Sequence, residues 1–286
     1  MVLRMLFFLL ALMPLNAQLQ ASWLDSFANY FRKSAPATPP TIKVLIVHDR
    51  PGVVVEVKGK YKIYDPHSGS HISTRYVGKR KFIQAVRDGI KWGEEFPGVH
   101  QLLIVPDEKE TTSVVDGIEY KGLIYVYDIG GAISVVNQIP IEEYLSSILI
   151  AQYRQPLPEE LLNAIAIAAR TAAYYRSDSP KSEYWSVDGR QVGYYGYAAA
   201  RQTNAMEKAI RDTRYMVMSH AAPNEDRIRP FSAEWKQPSQ NKGMEFSQIS
   251  LQEAENMADN GAHAAQILAR AFPGVKIELI HYASDQ

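Results

Sequence analysis

Among the polar side chains of the stretch VNQIPIEEYLSSILIAQYRQPLPEELLNAIAIAARTAAYY, from Val136 to Tyr175, which reads as two largely apolar helices, Glu142, Glu143, Gln152 and Arg170 are the ones whose placement bears on chemistry. Carboxylates can give and take protons, a guanidinium can hold an anion in a two-toothed fork, and an amide can do neither but still donates and accepts hydrogen bonds. The interest of the stretch therefore lies in what each group faces.

The first helix is expected to begin at Pro140, whose fixed φ suits a first helical position, with Glu142 and Glu143 in the first turn, where the positive end of the helix dipole favours acids. Leu145, Ile148 and Leu149 then form an i, i+3, i+4 apolar stripe. Gln152, four residues after Ile148, is expected to continue that stripe inward, where its amide either satisfies backbone at the Pro-rich elbow or faces a ligand. The second helix, from Pro158 to about Arg176, is Ala and Ile on nearly every side, the pattern of a helix buried all round. Arg170, which shares a face with Asn163, Ala166, Ile167 and Tyr174, must then find a partner, because an isolated buried charge is costly. Glu142 or Glu143 could supply it.

The whole segment resembles the signature of the SpoIID/LytB family, the stage II sporulation protein D and amidase-enhancer group. Val135, Val136, Asn137, Pro140, Glu142, Glu143 and Tyr144 match its first half; Glu160, Leu162, Ala164, Ala166, Ala168, Ala169, Arg170 and Thr171 match its second, with no gap between them. Looser similarity extends over roughly residues 41 to 280, including Asp188, Gln191 and Gly196 near a D-x-Q-x-Y-x-G element and AIRDTRYMVM at 209 to 218 as a helix followed by a strand. MADNGAHAAQILARAFPGVKIEL at 257 to 279 resembles the family's closing helix and Pro-Gly turn.

The resemblance implies action on peptidoglycan: lytic transglycosylases that cut peptide-stripped glycan, or enhancers of cell-wall amidases. A lytic step needs one carboxyl that protonates the glycosidic oxygen and then takes the proton of the muramic 6-hydroxyl. In the ungapped match that glutamate falls on Gln152, so the catalytic position holds an amide. The implied contact set around it is Glu142, Glu143, Tyr144, Arg170, Thr171 and Glu245, with Arg170 free to meet a sugar or muramic carboxylate instead of an ion-pair partner. Glu245 stands where many members carry the His of a Gly-rich G-H-G-x-G-M-S-Q run; here the sequence is MEFSQISL. It reads as a replacement acid or as an exposed loop carboxylate. Two functions follow: a transglycosylase-like enzyme, or a non-catalytic glycan-binding protein serving an amidase or division partner. A purely structural envelope protein is a third.

The elements that must position these groups form an α+β protein: a β-rich N-terminal portion over 41–138, a central pair of helices, and a mixed C-terminal portion to 286. The 286 residues are 46% hydrophobic, enough for a sizeable core. Within the β-rich portion, KFIQAVRDGIKWGEEF at 81 to 96 reads as an amphipathic helix. Lys plus Arg equal Asp plus Glu at 31 each, which leaves no electrostatic footprint for nucleic acid. No metal or cofactor word appears: His67 and His71 flank a turn, Cys is absent, and no Gly-rich phosphate loop occurs.

Residues 1–21, with Arg4, an apolar run from Met5 to Leu15 and small Ala17 or Ala21, have the parts of a signal peptide, which places the protein in the periplasm or outside the cell. Residues 22–40 read as an aromatic amphipathic segment and a Pro-rich linker, with weak membrane contact through 22–31 as the sharper alternative to packing on the domain.

Overall fold

A computed structural model describes residues 39–153, 155–180, 182–197, 205–220, 229–235 and 247–280. All its elements belong to one unit, Pro40–Ile280. The expected leader and linker, and Glu245, lie outside the described residues.

The α+β reading holds. Twelve strands precede the paired helices: β1 Thr41–Arg50, β2 Gly52–Lys58, β3 Tyr61–Tyr64, β4 His71–Arg75, β5 Lys81–Val86, β6 Gly89–Trp92, β7 Glu94–Pro97, β8 Gln101–Pro106, β9 Thr112–Val115, β10 Ile118–Tyr120, β11 Leu123–Ile129 and β12 Ala132–Pro140. With β13, Val187–Asp188, they form a seven-stranded sheet in the order β13-β1-β12-β11-β8-β3-β4 and a six-stranded sheet in the order β10-β9-β2-β5-β6-β7. Period-two alternation sets the faces. In β11, Ile124 and Val126 are fully buried on one face while Tyr125 and Tyr127 stand on the other, with Ile63, Leu102 and Ile104 continuing the first face as core.

The helix expected over 81 to 96 is instead three strands. Val86 pairs with Gly89 and Trp92 with Glu94, so two tight hairpins fold the segment back on itself. Gly89 at φ +127° and Gly93 at φ +75° adopt backbone conformations that L side chains avoid, and Asp88-Gly89 is a hairpin signal that outweighs an apolar spacing a helix could also share.

Pro140 and Pro158 do not open their helices from within. Each caps one from outside, at ψ 141°, because the ring fixes φ and leaves ψ free to be extended. The helices themselves are α1, Ile141–Gln152, and α2, Glu159–Asp178. Beyond β13 follow α3 Gly189–Val192, α4 Ala205–Asp212, β14 Met216–His220, α5 Leu251–Asp259, α6 Ala264–Ala271 and β15 Val275–Leu279, with β14 and β15 paired antiparallel.

As its composition requires, α2 is buried nearly all round, packed among α1, α4, α5, α6, β14 and β1. Its alanines allow close approach, while each fully buried Ile or Leu side chain contributes roughly 1.5–3 kcal/mol of apolar transfer. Glu160 fixes the closing helix: the Ala264 amide donates to Glu160 Oε2 at 2.7 Å, a carboxylate at the positive end of α6. Among the described residues no helix is long and apolar enough to cross a membrane.

Candidate functional site

A cleft of about 610 Å³ opens between α1 and α2. Tyr144, Ile148 and Gln152 present one wall from α1; Ile165, Ala168, Ala172 and Arg176 present the other from α2. Arg190 to Gly193 with Tyr195, and the segment Ala233, Glu234, Trp235, complete the lining. The small side chains of α2 at i, i+4 spacing leave the space that a bulkier helix would fill.

Gln152 lines this cleft, but it is exposed, contrary to the inward burial its spacing suggested. The reason is the stripe itself. Leu145 and Leu149 point into the core, whereas Ile148 lies at the edge of it, and Gln152 follows Ile148 out of the last helical turn. Its amide makes no hydrogen bond within the protein's described residues and is free to meet a ligand or water.

Tyr144 also lines the cleft, yet is almost wholly buried, and its hydroxyl makes no well-formed hydrogen bond among the described residues, with Arg176 close beside it. Burial pushes this phenol up to about 12, with the nearby Arg176 charge pulling the other way. Its ring packs against Tyr194, 5.9 Å between centroids. Trp235 contributes a second orphan, its buried indole Nε1 being without a partner among the described residues. An unmet buried donor costs about 1–3 kcal/mol, and both atoms lie shielded behind the cleft surface; Trp92 Nε1, in the sheet region, is orphaned in the same way.

The cleft holds one carboxylate among its described lining residues, Glu234, whose Oε1 accepts from Arg176 Nη2 at 2.8 Å. Sequence reasoning did not single out Arg176, Glu234 or Trp235. Phe231 to Trp235 carries no periodicity and no motif; its anchoring is tertiary, through Trp235 edge-on to Phe272 at 5.8 Å.

Four residues expected to contact glycan, Glu142, Glu143, Arg170 and Thr171, do not line this cleft. Arg170 is fully buried and every guanidinium N–H is engaged: Nε and Nη2 donate to Glu142 Oε1 and Oε2 at 2.7 and 2.9 Å, Nη2 also to Ile210 O at 2.9 Å, and Nη1 to Thr213 Oγ1 and Met216 O, both at 3.3 Å. The fork to Glu142 ties α2 to α1, and neither residue reaches the cleft. Arg170 lies two positions from Ala172, at about 100° per residue nearly the opposite side of the helix. Thr171 is likewise buried, donating to Ile167 O and accepting from Met218 N, each at 2.8 Å. It locks β14 to α2. Glu143 is exposed and does not line the cleft.

Other matched positions are scaffolding as well. Buried Asn137 donates to Lys121 O and Leu123 O at 2.8 and 3.0 Å and accepts from the Tyr194 hydroxyl at 2.5 Å, bracing β12, β11 and the cleft-lining loop together. Asp188 Oδ1 accepts from the Arg190 amide at 2.9 Å and starts α3, while Gln191 reaches the cleft. Gly196 allows the loop to press on the backbone of Glu119, where a Cβ would stand 2.4 Å from its oxygen.

A mixed domain whose paired helices enclose a cleft, braced by an Asn, a Glu–Arg fork and a buried Thr, is the setting in which the family comparison falls. Residues 130–220 match the model of the stage II sporulation protein family, SpoIID. An uncharacterized protein of Chlamydia pneumoniae is 33% identical over 191 residues, 66% of this chain and 69% of its own length. An uncharacterized protein of Chlamydia muridarum is 32% identical over 63% of each chain, and one of Brachyspira hyodysenteriae 29% identical over 62% of this chain and 47% of its own. No solved structure gives a significant match. The chain belongs to the SpoIID family, and that membership supports a sporulation- or cell-wall-related role in general terms.

Proposed function

We propose that the α1–α2 cleft binds peptidoglycan glycan strands and that the protein holds them without cutting them efficiently. The observation that carries this reading is Gln152: it lines the cleft at the position the resemblance gives to the family acid, and an amide can hydrogen-bond a sugar hydroxyl but cannot deliver a proton. Loss of a general acid costs about a hundredfold to ten-thousandfold in rate. The Trp235 ring and the 62%-exposed Tyr195 on the cleft lining offer flat faces to pyranose rings.

A second reading, a lytic transglycosylase, is favoured by one feature, the presence of Glu234 in the same cleft. Its proton would have to come from a carboxyl that serves as the acceptor in an ion pair with Arg176. The strand-binding reading places the protein in the periplasm or outside the cell, exported by residues 1–21, where it presents glycan to a cell-wall amidase or division protein.

The test is titration of purified protein with peptide-free glycan strands, followed by indole fluorescence, alongside Trp235→Ala and Tyr144→Phe. Saturable binding that each substitution weakens by about tenfold supports the cleft as the strand site. Binding unchanged by both substitutions contradicts it.

A further inference from the structure

Between β4, at one edge of the seven-stranded sheet, and β5, within the six-stranded sheet, residues 76–80 carry the chain from one sheet to the other. Tyr76 and Val77 are 73% and 77% exposed, the most exposed large apolar side chains among the described residues, and Lys79 and Arg80 follow them at the surface. Gly78 accounts for this display. Its amide donates to Val57 O at 3.0 Å, and a Cβ there would stand 2.8 Å from Val57 N, so the loop is pressed onto β2 at its midpoint and the side chains on either side turn outward. From Arg75 to Lys81 there are four cations and no acid, in a chain whose cations and acids balance at 31 each. Arg75 pairs with Glu94, and Asp107 is taken by Lys60 and Lys62 at 2.5 and 2.7 Å, whereas Lys79 and Arg80 form no ion pair among the described residues. The Lys60 ammonium also lies 5.6 Å from the centre of the Tyr76 ring, a further cation beside the loop. Lys81 and Phe82, next in β5, leave the strand on opposite sides, Lys81 across Gly93 and Phe82 over Gly52, so the loop itself is the part that one flat surface can meet.

We infer that residues 76–80 dock the domain on an anionic lipid surface, Tyr76 and Val77 entering the headgroup region while Lys79 and Arg80 hold lipid phosphates. At such a surface an apolar side chain gains by leaving water and an unpaired cation gains from the negative headgroups in the same step, which sets this loop apart from an ordinary solvated run of charge. A bilayer takes up protruding side chains without a matching pocket, whereas a protein partner would have to supply one, with packing as close as a protein interior, for a loop that stands this far from its surroundings. The edges β4 and β13 of the seven-stranded sheet lie six strand spacings apart, roughly 30 Å. Arg190 to Gly193, which follow β13, line the helical cleft. A domain resting on residues 76–80 therefore holds that cleft away from the lipid and open to the surroundings. Nothing in this docking requires a particular ligand in the cleft.

The chain contains no cysteine, so Val77→Cys places a polarity-sensitive fluorophore on the loop alone, and Gln252→Cys, exposed on α5, places it elsewhere as a control. The intact labelled proteins are titrated with vesicles of equimolar phosphatidylcholine and phosphatidylglycerol, with vesicles of phosphatidylcholine alone, and with poly-glutamate. Because the label reads its own surroundings, lipid binding elsewhere in the chain does not register. The label at 77 is expected to shift to the blue on the anionic vesicles only, and the label at 252 on none. Lys79→Gln and Arg80→Gln, made in the Val77→Cys background, should each weaken the response roughly fivefold and together about 25-fold. Tyr76→Ser should weaken it as well. Thermal melts matching the parent protein keep these surface variants comparable. A label at 77 that stays in water on anionic vesicles, that shifts equally on phosphatidylcholine, or whose shift survives the paired Lys79 and Arg80 substitutions overturns the docking. A shift at both 77 and 252 marks adsorption without a site and overturns it too. A shift on poly-glutamate and none on vesicles assigns the loop to an acidic protein and refutes the lipid surface.

Discussion

Arg176 Nη2 donates to Glu234 Oε1 at 2.8 Å across the mouth of the helical cleft, joining the end of α2 to the segment that carries Trp235. Both side chains are about a quarter exposed, so the pair is worth at most about 1 kcal/mol to stability. Its use is to fix where Trp235 stands. Glu234→Gln is expected to leave the melting temperature within a few degrees of wild type and to weaken strand binding several-fold. Wild-type lysis of glycan that Glu234→Gln abolishes would instead make Glu234 the acid.

The Arg170–Glu142 fork is a different case, because Arg170 is wholly buried and the Glu142 side chain is only 19% exposed. Breaking one side of such a pair costs about 3–5 kcal/mol, since the remaining charge is stranded. Urea unfolding of Glu142→Gln and Arg170→Ala should show losses of that size, with Arg170→Lys also destabilised because one ammonium cannot reach every acceptor the guanidinium serves. A loss of glycan binding with unchanged stability would return Arg170 to the ligand-contact role.

Tyr144 gives a pH signature. Its phenol, ordinarily near 10, is held at about 12 by burial, so the folded state keeps a proton that the unfolded chain gives up. The stability this represents is complete below pH 10 and falls as pH rises from 10 towards 12. Tyr144→Phe removes that part of the alkaline decline. Because the hydroxyl makes no well-formed hydrogen bond among the described residues, the same substitution should change neutral-pH stability by less than about 1 kcal/mol while weakening strand binding. Destabilisation by several kcal/mol at pH 7 would show that the hydroxyl is satisfied within the fold.

Gly196 sits at φ +78° with the Glu119 backbone oxygen where a Cβ would go. Gly196→Ala must move the loop that carries Tyr195, at a cost of about 1–3 kcal/mol. Reduced strand affinity together with a lower melting temperature is expected. A variant as stable as wild type would mean the loop gives way freely.

Where neighbouring residues settled the outcome, the sequence was legible. The paired helices and the all-round burial of α2 follow from periodicity and composition, and the strand after Ala205–Asp212 from the family resemblance. The need of Arg170 for a partner was readable too, and one of the two acids named for it is the one it has. Other features depended on distance through space. Gln152 looked buried because a stripe shows which side a residue is on but not where the core ends. The 81 to 96 segment has spacing compatible with a helix, and Gly89 and Gly93 decide against it. Glu234 and Trp235 become site residues through Arg176 and Phe272, far away in sequence. Most of the family signature proved to be bracing: Asn137, Glu142, Arg170 and Thr171 hold the walls that Gln152 and Tyr144 line.

The central claim is tested most directly by incubating wild type and Gln152→Glu with peptide-free glycan strands and reading the products by mass spectrometry. Bound but uncut strands are expected from wild type and anhydro-muramyl fragments from Gln152→Glu. Anhydro-muramyl fragments released by wild type, undiminished in Gln152→Ala, would contradict that claim.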